Sequence, residues 1–167
     1  DNFKPVNDRY GHEAGDALLI EAALRLKCGM REMDTVARIG GDEFVVMLSQ
    51  LHTDEAESTA QAGKVAEKIR RLLSEPYLLT IASEGSAARA VEHHCTASIG
   101  VALFLDHEGH RDDILKWADA AMYQAKDAGR NQIRFHDPTR LVIAGQAAAS
   151  PDRCSDTRLM ASGAETR

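Results

Sequence analysis

Residues 35–48 read TVARIGGDEFVVML, and this stretch decides the fold. Two runs of strand-forming residues, Thr35–Ile39 and Glu43–Leu48, stand on either side of the glycines Gly40 and Gly41. β-Branched and aromatic side chains favour strands, and glycine permits the tight turn that joins two antiparallel strands. The stretch therefore predicts a β-hairpin with glycine at its tip.

Two acids in succession, Asp42 and Glu43, follow the glycines at this turn. Backbone without side chains lets a bulky ligand come close. Carboxylates beside such a backbone can hold a hard cation such as Mg²⁺, which in turn holds phosphate oxygens. An ordinary hairpin with solvated acids explains this one segment equally well.

Three helical patterns surround the hairpin. Apolar side chains recur at helical spacing from Asp16 onward, over about 54–74 and over about 111–127, where Gly129 is the expected C′ residue. Short strands are predicted at Tyr77–Ile81, within Val91–Leu105 and at Asn131–Phe135, a hairpin loop at Ser83–Ala88 and a polar, turn-like segment at 1–12. Together these elements predict an α+β fold, a mainly antiparallel sheet flanked by helices.

The length of 167 residues suits one domain. We predict that this domain spans 1–138 and that 139–167 form a flexible C-terminal tail. Residues 145–167 are rich in Ala, Ser, Gly and Thr and contain no aromatic residue, a composition that cannot bury much apolar surface.

Charge and cysteine content exclude several classes of function. The formal net charge of −6 argues against indiscriminate binding to nucleic acid, which needs a basic face. No apolar run approaches ~18 residues, so we expect no membrane span and no direct membrane contact. Three widely spaced cysteines, Cys28, Cys95 and Cys154, favour reduced thiols and a cytoplasmic location. A membrane anchor upstream in a longer protein is compatible with both expectations.

A zinc site is a weaker possibility. His93, His94 and Cys95 stand together, with His107 and His110 further along. Adjacent residues in a strand point to opposite faces of the sheet, so this cluster is poorly arranged for tetrahedral ligation. We therefore do not predict zinc.

The first sixteen residues, DNFKPVNDRYGHEAGD, carry a second set of polar side chains. Lys4 can meet a phosphate as a point charge. Asn7 and Asp16 can read the edge of a guanine, because an amide and a carboxylate both accept from its N–H groups. Taken alone, the segment fits a polar loop that caps the following helix better than it fits a binding site.

Together the two segments resemble the GGDEF family of diguanylate cyclases over about residues 1–136. Five motifs carry the resemblance in order: FKxxND at Phe3–Asp8, GHxxGD at Gly11–Asp16, GGDEF at Gly40–Phe44, ASIGV at Ala97–Val101, and ADAAMYQAK continuing to GRN over Ala118–Asn131. The resemblance implies a ferredoxin-like, nucleotidyl-cyclase-like fold. It also implies an enzyme that condenses two GTP molecules into cyclic di-GMP and two pyrophosphates, with Mg²⁺ or Mn²⁺ as cofactor.

The resemblance assigns roles position by position. Asp42 is implied as the metal-binding carboxylate and proton acceptor, and Glu43 as a support for the metal or the substrate hydroxyl. Asn7 and Asp16 are implied as guanine readers. The implied triphosphate contacts are Lys4, Lys126 and Arg130, joined by the backbone amides of Asn2 and Phe3. Lys126 and Arg130 are four positions apart, so we predict that they share one face at the end of a helix, where they also complement the helix dipole.

In this family two domains face each other with one GTP each, so we expect a homodimer during catalysis. The alternative is a catalytically silent module that senses cyclic di-GMP or GTP. A pure dimerisation module is a third possibility that no sequence feature supports. The intact Gly40–Phe44 signature favours the enzyme, because degenerate sensors usually depart from it.

A second site is implied by Arg31 and Asp34, which form an RxxD motif five residues before the signature. In this family the motif marks an inhibitory site for the product, cyclic di-GMP. Arginine suits such a site, because a guanidinium stacks on purines and forks onto phosphate. Lys68 is a looser candidate for a further cation from another domain. An ordinary surface ion pair is the alternative for this motif.

The chain departs from the family pattern at its first residue. The pattern reads D-x-D-x-F-K, and Asp1 aligns with the second aspartate, three positions before Lys4. The metal-binding aspartate, the first strand and the preceding helix would then precede this chain. We expect a truncated piece of a longer, sensor-type protein, and an isolated fragment of this kind is expected to have a half-built metal site.

Overall fold

The computed structural model describes residues 1–83, 86–105, 111–137 and 156–163. The helices in these ranges are α1 (Lys4–Tyr10), α2 (His12–Gly29), α3 (Glu55–Ser74) and α4 (Arg111–Asp127). The strands are β1 (Thr35–Gly40), β2 (Glu43–Leu51), β3 (Tyr77–Ser83), β4 (Ser86–His93), β5 (Ser98–Leu105), β6 (Ile133–Phe135) and β7 (Asp156–Gly163).

The predicted α+β class is confirmed. The larger sheet has the strand order β1-β2-β7-β5-β6, and β3 pairs with β4 in a separate two-stranded sheet. The β1–β2 and β3–β4 pairings are antiparallel. The pairings of β7 with β2, of β7 with β5 and of β5 with β6 are parallel, so the larger sheet is mixed. A parallel β5–β6 pair follows from the helical crossover through α4 that joins the two strands.

The glycine-tipped hairpin forms as the sequence predicts. β1 and β2 pair from Thr35 with Met47 down to Gly40 with Glu43. Gly41 supplies a positive φ of 47° at the tip, a backbone conformation that glycine adopts without steric cost. The guanidinium of Arg38 donates to the carbonyl of Gly41 at 2.7 Å and so braces the turn from one strand.

Helices cover both faces of the sheet. On one face, Ile99 and Val101 of β5 join a buried cluster with Ala66 and Ile69 of α3. On the other face, Ala102 packs against Ile114 and Ala118 of α4. Neighbouring residues of β5 thus serve opposite cores, as the two-residue period of a strand requires.

Gly100 lets α4 lie close to β5. A Cβ at this position would overlap the carbonyl oxygen of Ala118 and the backbone nitrogen of Met122. Backbone cannot move aside as a flexible side chain can, so this position requires glycine.

The N-terminal segment differs from the sequence prediction. Residues 4–10 form helix α1 instead of a turn-like segment, and α2 begins at His12, so Asp16 lies inside the helix and does not cap it. Pro5 misled the prediction, because proline is also well tolerated in the first turn of a helix. Gly11, with φ 84°, separates the two helices.

Two other predicted helices are confirmed. α4 has the predicted bounds of 111–127. α3 begins one residue later than predicted, because Asp54 is its N-cap and accepts a hydrogen bond from the Glu57 N–H at 2.9 Å. In the segment predicted as a loop, Ser83–Ala88, β3 continues to Ser83 and β4 begins at Ser86. Residues 84–85 between them lie outside the described residues.

Part of the predicted C-terminal tail is a strand. Residues 156–163 form β7, which pairs from Asp156 to Gly163 with β2 on one side and with β5 on the other. Both neighbours contain fully buried residues, such as Val46 and Ile99, so the strand between them completes the centre of the sheet. Residues 139–155 and 164–167 of the predicted tail lie outside the described residues.

Candidate active site

Asp42 is buried directly behind the hairpin turn, with 5% of its surface exposed. Its Oδ2 atom is fully buried and has no hydrogen-bond partner among the described residues. The residue borders a cavity of about 30 Å³ whose walls are mainly apolar, with Tyr77, Cys95 and Thr96 also contributing. A buried carboxylate oxygen without a partner is costly, so this atom is poised to bind a cation or a proton donor.

One such carboxylate suits Mg²⁺. The ion is commonly held by one or two carboxylates together with substrate phosphates and waters. Within 1–83, 86–105, 111–137 and 156–163, no group of three or more His, Cys, Asp or Glu side chains converges as a metal site. Among the described residues, Asp42 is a buried acid with an unpartnered oxygen, and the half-buried Glu43 follows it in the chain.

Asp1 organises the same end of the sheet. Its carboxylate is 1% exposed and accepts from the Ser98 hydroxyl at 2.8 Å and from the Thr96 hydroxyl at 2.9 Å. It also accepts from the Asn131 backbone N–H at 3.3 Å. Thr96 is shared with the Asp42 cavity, so the hairpin tip, the start of β5 and the turn after α4 meet here. Sequence reasoning gave Asp1 no role in the site, although it aligned Asp1 with the second aspartate of the family pattern.

The turn after α4 places two of the predicted phosphate contacts. The Gly129 N–H donates to the Lys126 carbonyl at 3.2 Å, and the Arg130 N–H donates to the Ala125 carbonyl at 3.0 Å. This pair of bonds is a Schellman motif, with Gly129 at the predicted C′ position and φ 110°.

The prediction that Lys126 and Arg130 share one helical face is wrong. α4 ends at Asp127, and Arg130 follows in a left-handed conformation with φ 62°. Lys126 thus remains half-buried in the last helical turn, whereas Arg130 projects from the turn that Asp1 anchors through Asn131.

The predicted guanine readers lie where α1 packs against α2. Asn7 is half-buried, and its side-chain oxygen Oδ1 is fully buried with no hydrogen-bond partner among the described residues. It lies against Gly15 of α2, which immediately precedes the exposed Asp16. The fold therefore brings the two predicted readers to neighbouring positions on α1 and α2.

Lys4 and its neighbours begin α1. Lys4 is exposed in the first turn, after Phe3 at the N-cap. Asn2 is exposed and has a left-handed φ of 63°. Asparagine adopts the left-handed region more readily than most residues, so this turn forms without glycine.

The RxxD motif forms a closed turn after α2. The Asp34 carboxylate accepts from the Arg31 N–H at 3.0 Å and from the Ser49 N–H at 3.4 Å. Arg31 is exposed and borders a hollow of about 520 Å³, whose other cations are Lys27 and Arg38. The walls also include apolar residues, namely Leu19, Ile20, Ala23, Met30, Val36 and Phe44.

Lys68 lies on α3. Its ammonium donates to the carbonyl of Gly29 at 2.6 Å, at the C-terminus of α2. A cation there complements the helix dipole and satisfies a carbonyl that lacks an intrahelical partner. Lys68 borders a separate surface hollow together with Lys64 and Arg71, so it is not a wall of the Arg31 hollow.

The histidines and the cysteine considered for a zinc site differ in burial and in their contacts. His93 is half-buried, His94 is exposed and lies 2.9 Å from Glu92, and Cys95 is buried. Burial lowers the pKa of His93, with His94 and Arg9 adding to the effect, and burial raises the pKa of the Cys95 thiol. His107 and His110 lie outside the described residues.

Comparison with known proteins identifies the family of this chain. A model of the family described as "Diguanylate cyclase, GGDEF domain" matches residues 1–132. The bifunctional diguanylate cyclase/cyclic di-GMP phosphodiesterase MucR of Pseudomonas aeruginosa is 43% identical over 137 residues, which are 82% of this chain. Diguanylate cyclase TpbB of the same organism is 40% identical over 135 residues, or 81% of this chain. The chain belongs to the GGDEF-domain family of diguanylate cyclases.

A solved structure agrees with the assignment. The GGDEF domain of TpbB (YfiN) from Pseudomonas aeruginosa superposes with a TM-score of 0.61 at 38% identity, covering 82% of this chain and 72% of that chain. This chain spans 18% of the length of MucR and 28% of the length of TpbB. In the ranges that the structure describes, no helix combines the length and the apolar character needed to cross a bilayer.

Proposed function

We propose that this domain condenses two GTP molecules into cyclic di-GMP and two pyrophosphates. The observation that carries the proposal is the buried, unpartnered Oδ2 atom of Asp42 behind the glycine turn. A chain that keeps a desolvated carboxylate without a hydrogen-bond donor gives up stability, and such a loss is typical of a site that binds a ligand.

The nucleotide is held at three places in this proposal. Asn7 and Asp16 accept from the donor edge of guanine at the α1–α2 junction. Lys4, Lys126 and Arg130 neutralise the triphosphate, and the backbone amides of Asn2 and Phe3 add donors. Asp42 would hold Mg²⁺ or Mn²⁺, and the ion would neutralise charge on the phosphate oxygens.

The reaction is a phosphoryl transfer repeated twice. The 3′-hydroxyl oxygen of one GTP attacks the α-phosphorus of the other, the bond from that phosphorus to the β-phosphate bridging oxygen breaks, and pyrophosphate leaves. The hydroxyl proton passes to a carboxylate, for which Asp42 is the candidate and Glu43 its support. Two domains with one GTP each must face each other, so a homodimer forms at least transiently.

Product inhibition is the second part of the proposal. The exposed Arg31 guanidinium borders a hollow with both cationic and apolar walls, and Asp34 fixes the turn that carries it. Phosphates can meet the cations while a purine covers the apolar wall. Cyclic di-GMP has both groups, so it suits this hollow.

The test measures cyclic di-GMP formation from GTP and Mg²⁺ by a longer protein that contains this domain and the segment preceding Asp1, in its wild-type form and as an Asp42→Asn variant. We expect the variant to bind GTP, to remain folded and to lose at least about a hundredfold in turnover, because one charge-stabilising group is removed. Asp112→Asn, an exposed acid on α4, is the matched control and should retain full turnover.

Two results would count against the enzyme. Full turnover by Asp42→Asn would remove this residue from the chemistry. Tight GTP binding without turnover by the wild-type form of this longer protein, at concentrations high enough to form dimers, would favour the silent sensing module instead.

A further inference from the structure

Gly15 is a glycine within helix α2 whose missing side chain leaves room for a neighbouring residue. It lies near the start of α2, where glycine is a poorer helix former than alanine. A Cβ at this position would overlap the Oδ1 atom of Asn7, and it would lie 2.9 Å from the Asn7 Cγ and 3.0 Å from the Phe3 Cζ. The volume that a side chain would take is therefore occupied by the amide of Asn7 and the edge of the Phe3 ring.

Backbone hydrogen bonds tie the end of α1, which carries Asn7, to the start of α2. The Asn7 backbone carbonyl accepts from the Gly11 N–H at 2.9 Å, and the Gly11 carbonyl accepts from the Gly15 N–H at 3.3 Å. A Cβ on Gly15 would therefore push the Asn7 amide out of the position that it occupies against α2. The Asn7 Oδ1 atom, buried and unpartnered among the described residues, presents an acceptor that requires an N–H donor.

Asp16, the residue that follows Gly15 on α2, supplies a second acceptor. Guanine presents two neighbouring donors, N1–H and the exocyclic amine, on its Watson–Crick edge. Adenine presents one donor beside an acceptor. Two acceptors at this place favour guanine only if the Asn7 oxygen and the Asp16 carboxylate keep the spacing that matches these two donors.

We propose that Gly15 is a positioning residue that sets nucleobase specificity by letting the Asn7 amide lie directly on the backbone of α2. The inference rests on the proposed function, since it concerns the guanine end of the same GTP site. It adds a residue that contacts no substrate and acts only through Asn7.

The experiment measures the dissociation constants of GTP and ATP, each with Mg²⁺, for the chain and its variants by calorimetry. GTP and ATP share the triphosphate, so their ratio isolates the base. We expect Gly15→Ala to lower the preference for GTP about tenfold, the equivalent of one hydrogen bond to the base, and to leave ATP affinity unchanged. Gly63→Ala on α3 is the matched control, because a Cβ there meets Phe135 at an ordinary 3.6 Å.

A double-mutant cycle separates positioning from general damage. In an Asn7→Ala background, Gly15→Ala should have no further effect on the GTP-to-ATP ratio, because the positioned group is gone. Should Gly15→Ala alone fail to fold, the pair Asn7→Ala and Gly15→Ala should fold again, and failure of the pair would overturn the inference.

The outcomes distinguish the two proposals. A wild-type chain that binds GTP no better than ATP contradicts the proposed function itself and removes the basis of this inference. A wild-type preference for GTP that Gly15→Ala leaves unchanged keeps the function and overturns only the role of Gly15.

Discussion

The guanidinium carbon of Arg25 lies 3.9 Å from the centroid of the Tyr77 ring. The same group donates to the carbonyls of Leu72, Glu75 and Pro76 at 3.1, 2.7 and 2.6 Å. These carbonyls lie at and just beyond the end of α3, so one side chain of α2 joins two helices and β3.

We expect Arg25→Ala to lower the free energy of unfolding by about 2–3 kcal/mol, because it removes a cation–π contact and several charge-assisted hydrogen bonds. Urea denaturation followed by circular dichroism measures the change. Glu21→Gln removes the partner of the 3.0 Å ion pair while keeping the carbonyl contacts, and it should cost less than about 1 kcal/mol. Equal effects of the two changes would mean that the ion pair, and not the carbonyl contacts, stabilises this junction.

The pH dependence of stability has a defined contributor in Glu67. Hydrogen bonds from Arg70, at 2.9 Å, and then from Arg71, at 2.8 Å, lower the pKa of this carboxyl to about 2. A carboxylate with a lowered folded-state pKa stabilises the protein above its unfolded pKa, and this stabilisation is lost as the pH falls through the folded value. The side chain is about one-third exposed, so solvent screening makes the effect modest.

The expected result is that the difference in unfolding free energy between wild type and Glu67→Gln is full at pH 6–7 and shrinks steadily between about pH 5 and pH 2. Chemical denaturation at a series of pH values measures it. A difference that stays constant down to pH 2 would contradict the assigned pKa.

The sequence predicted the elements whose signals are local. The hairpin at Gly40–Gly41, the bounds of α4 and the C′ role of Gly129 all follow from residue types that act within a few positions. α1 was missed because its residues are polar and Pro5 suggests a turn, and short helices carry little periodicity.

Long-range relationships could not be predicted from the sequence. The bonds of Asp1 to Ser98 and Asn131 join residues 97 and 130 positions apart. β7 lies in a segment of tail-like composition and takes its place through pairing with β2 and β5, which no local pattern reveals. The position of Arg130 outside the helix was missed for a different reason. The prediction applied helical spacing from Lys126 to Arg130, although Gly129 between them ends the helix.

Removal of residues 138–167 tests the central position of β7. Without it, β2 and β5 lose their backbone partners along buried edges, so we expect a loss of at least about 3 kcal/mol in unfolding free energy, or aggregation. Hydrogen exchange should rise in 43–51 and 98–105, whereas removal of 164–167 alone should change neither measurement. Unchanged exchange after the longer deletion would show that β7 is dispensable for the sheet.

The proposed product inhibition can be tested at the hollow beside Arg31. We expect Arg31→Ala to raise the cyclic di-GMP concentration for half-inhibition by at least about tenfold, since one charged contact to the ligand is removed, while uninhibited turnover stays the same. Initial rates of pyrophosphate release at increasing cyclic di-GMP measure the effect. Lys64→Ala, an exposed cation beside the separate α3 hollow, is the control and should leave inhibition unchanged. Inhibition that persists in Arg31→Ala would exclude Arg31 from the inhibitory site.

The proposed role of Asp42 as a cation ligand predicts effects on stability as well as on turnover. Its buried Oδ2 atom has no partner among the described residues, so Asp42→Asn is expected to leave the unfolding free energy unchanged or to raise it by about 1 kcal/mol at pH 7. The melting temperature of the wild type should rise on addition of GTP with Mg²⁺, and that of the variant should rise less, because ligand binding stabilises only the state that binds it. A variant destabilised by more than about 1 kcal/mol would mean instead that this carboxylate has a structural partner, and its burial would no longer indicate a cation ligand.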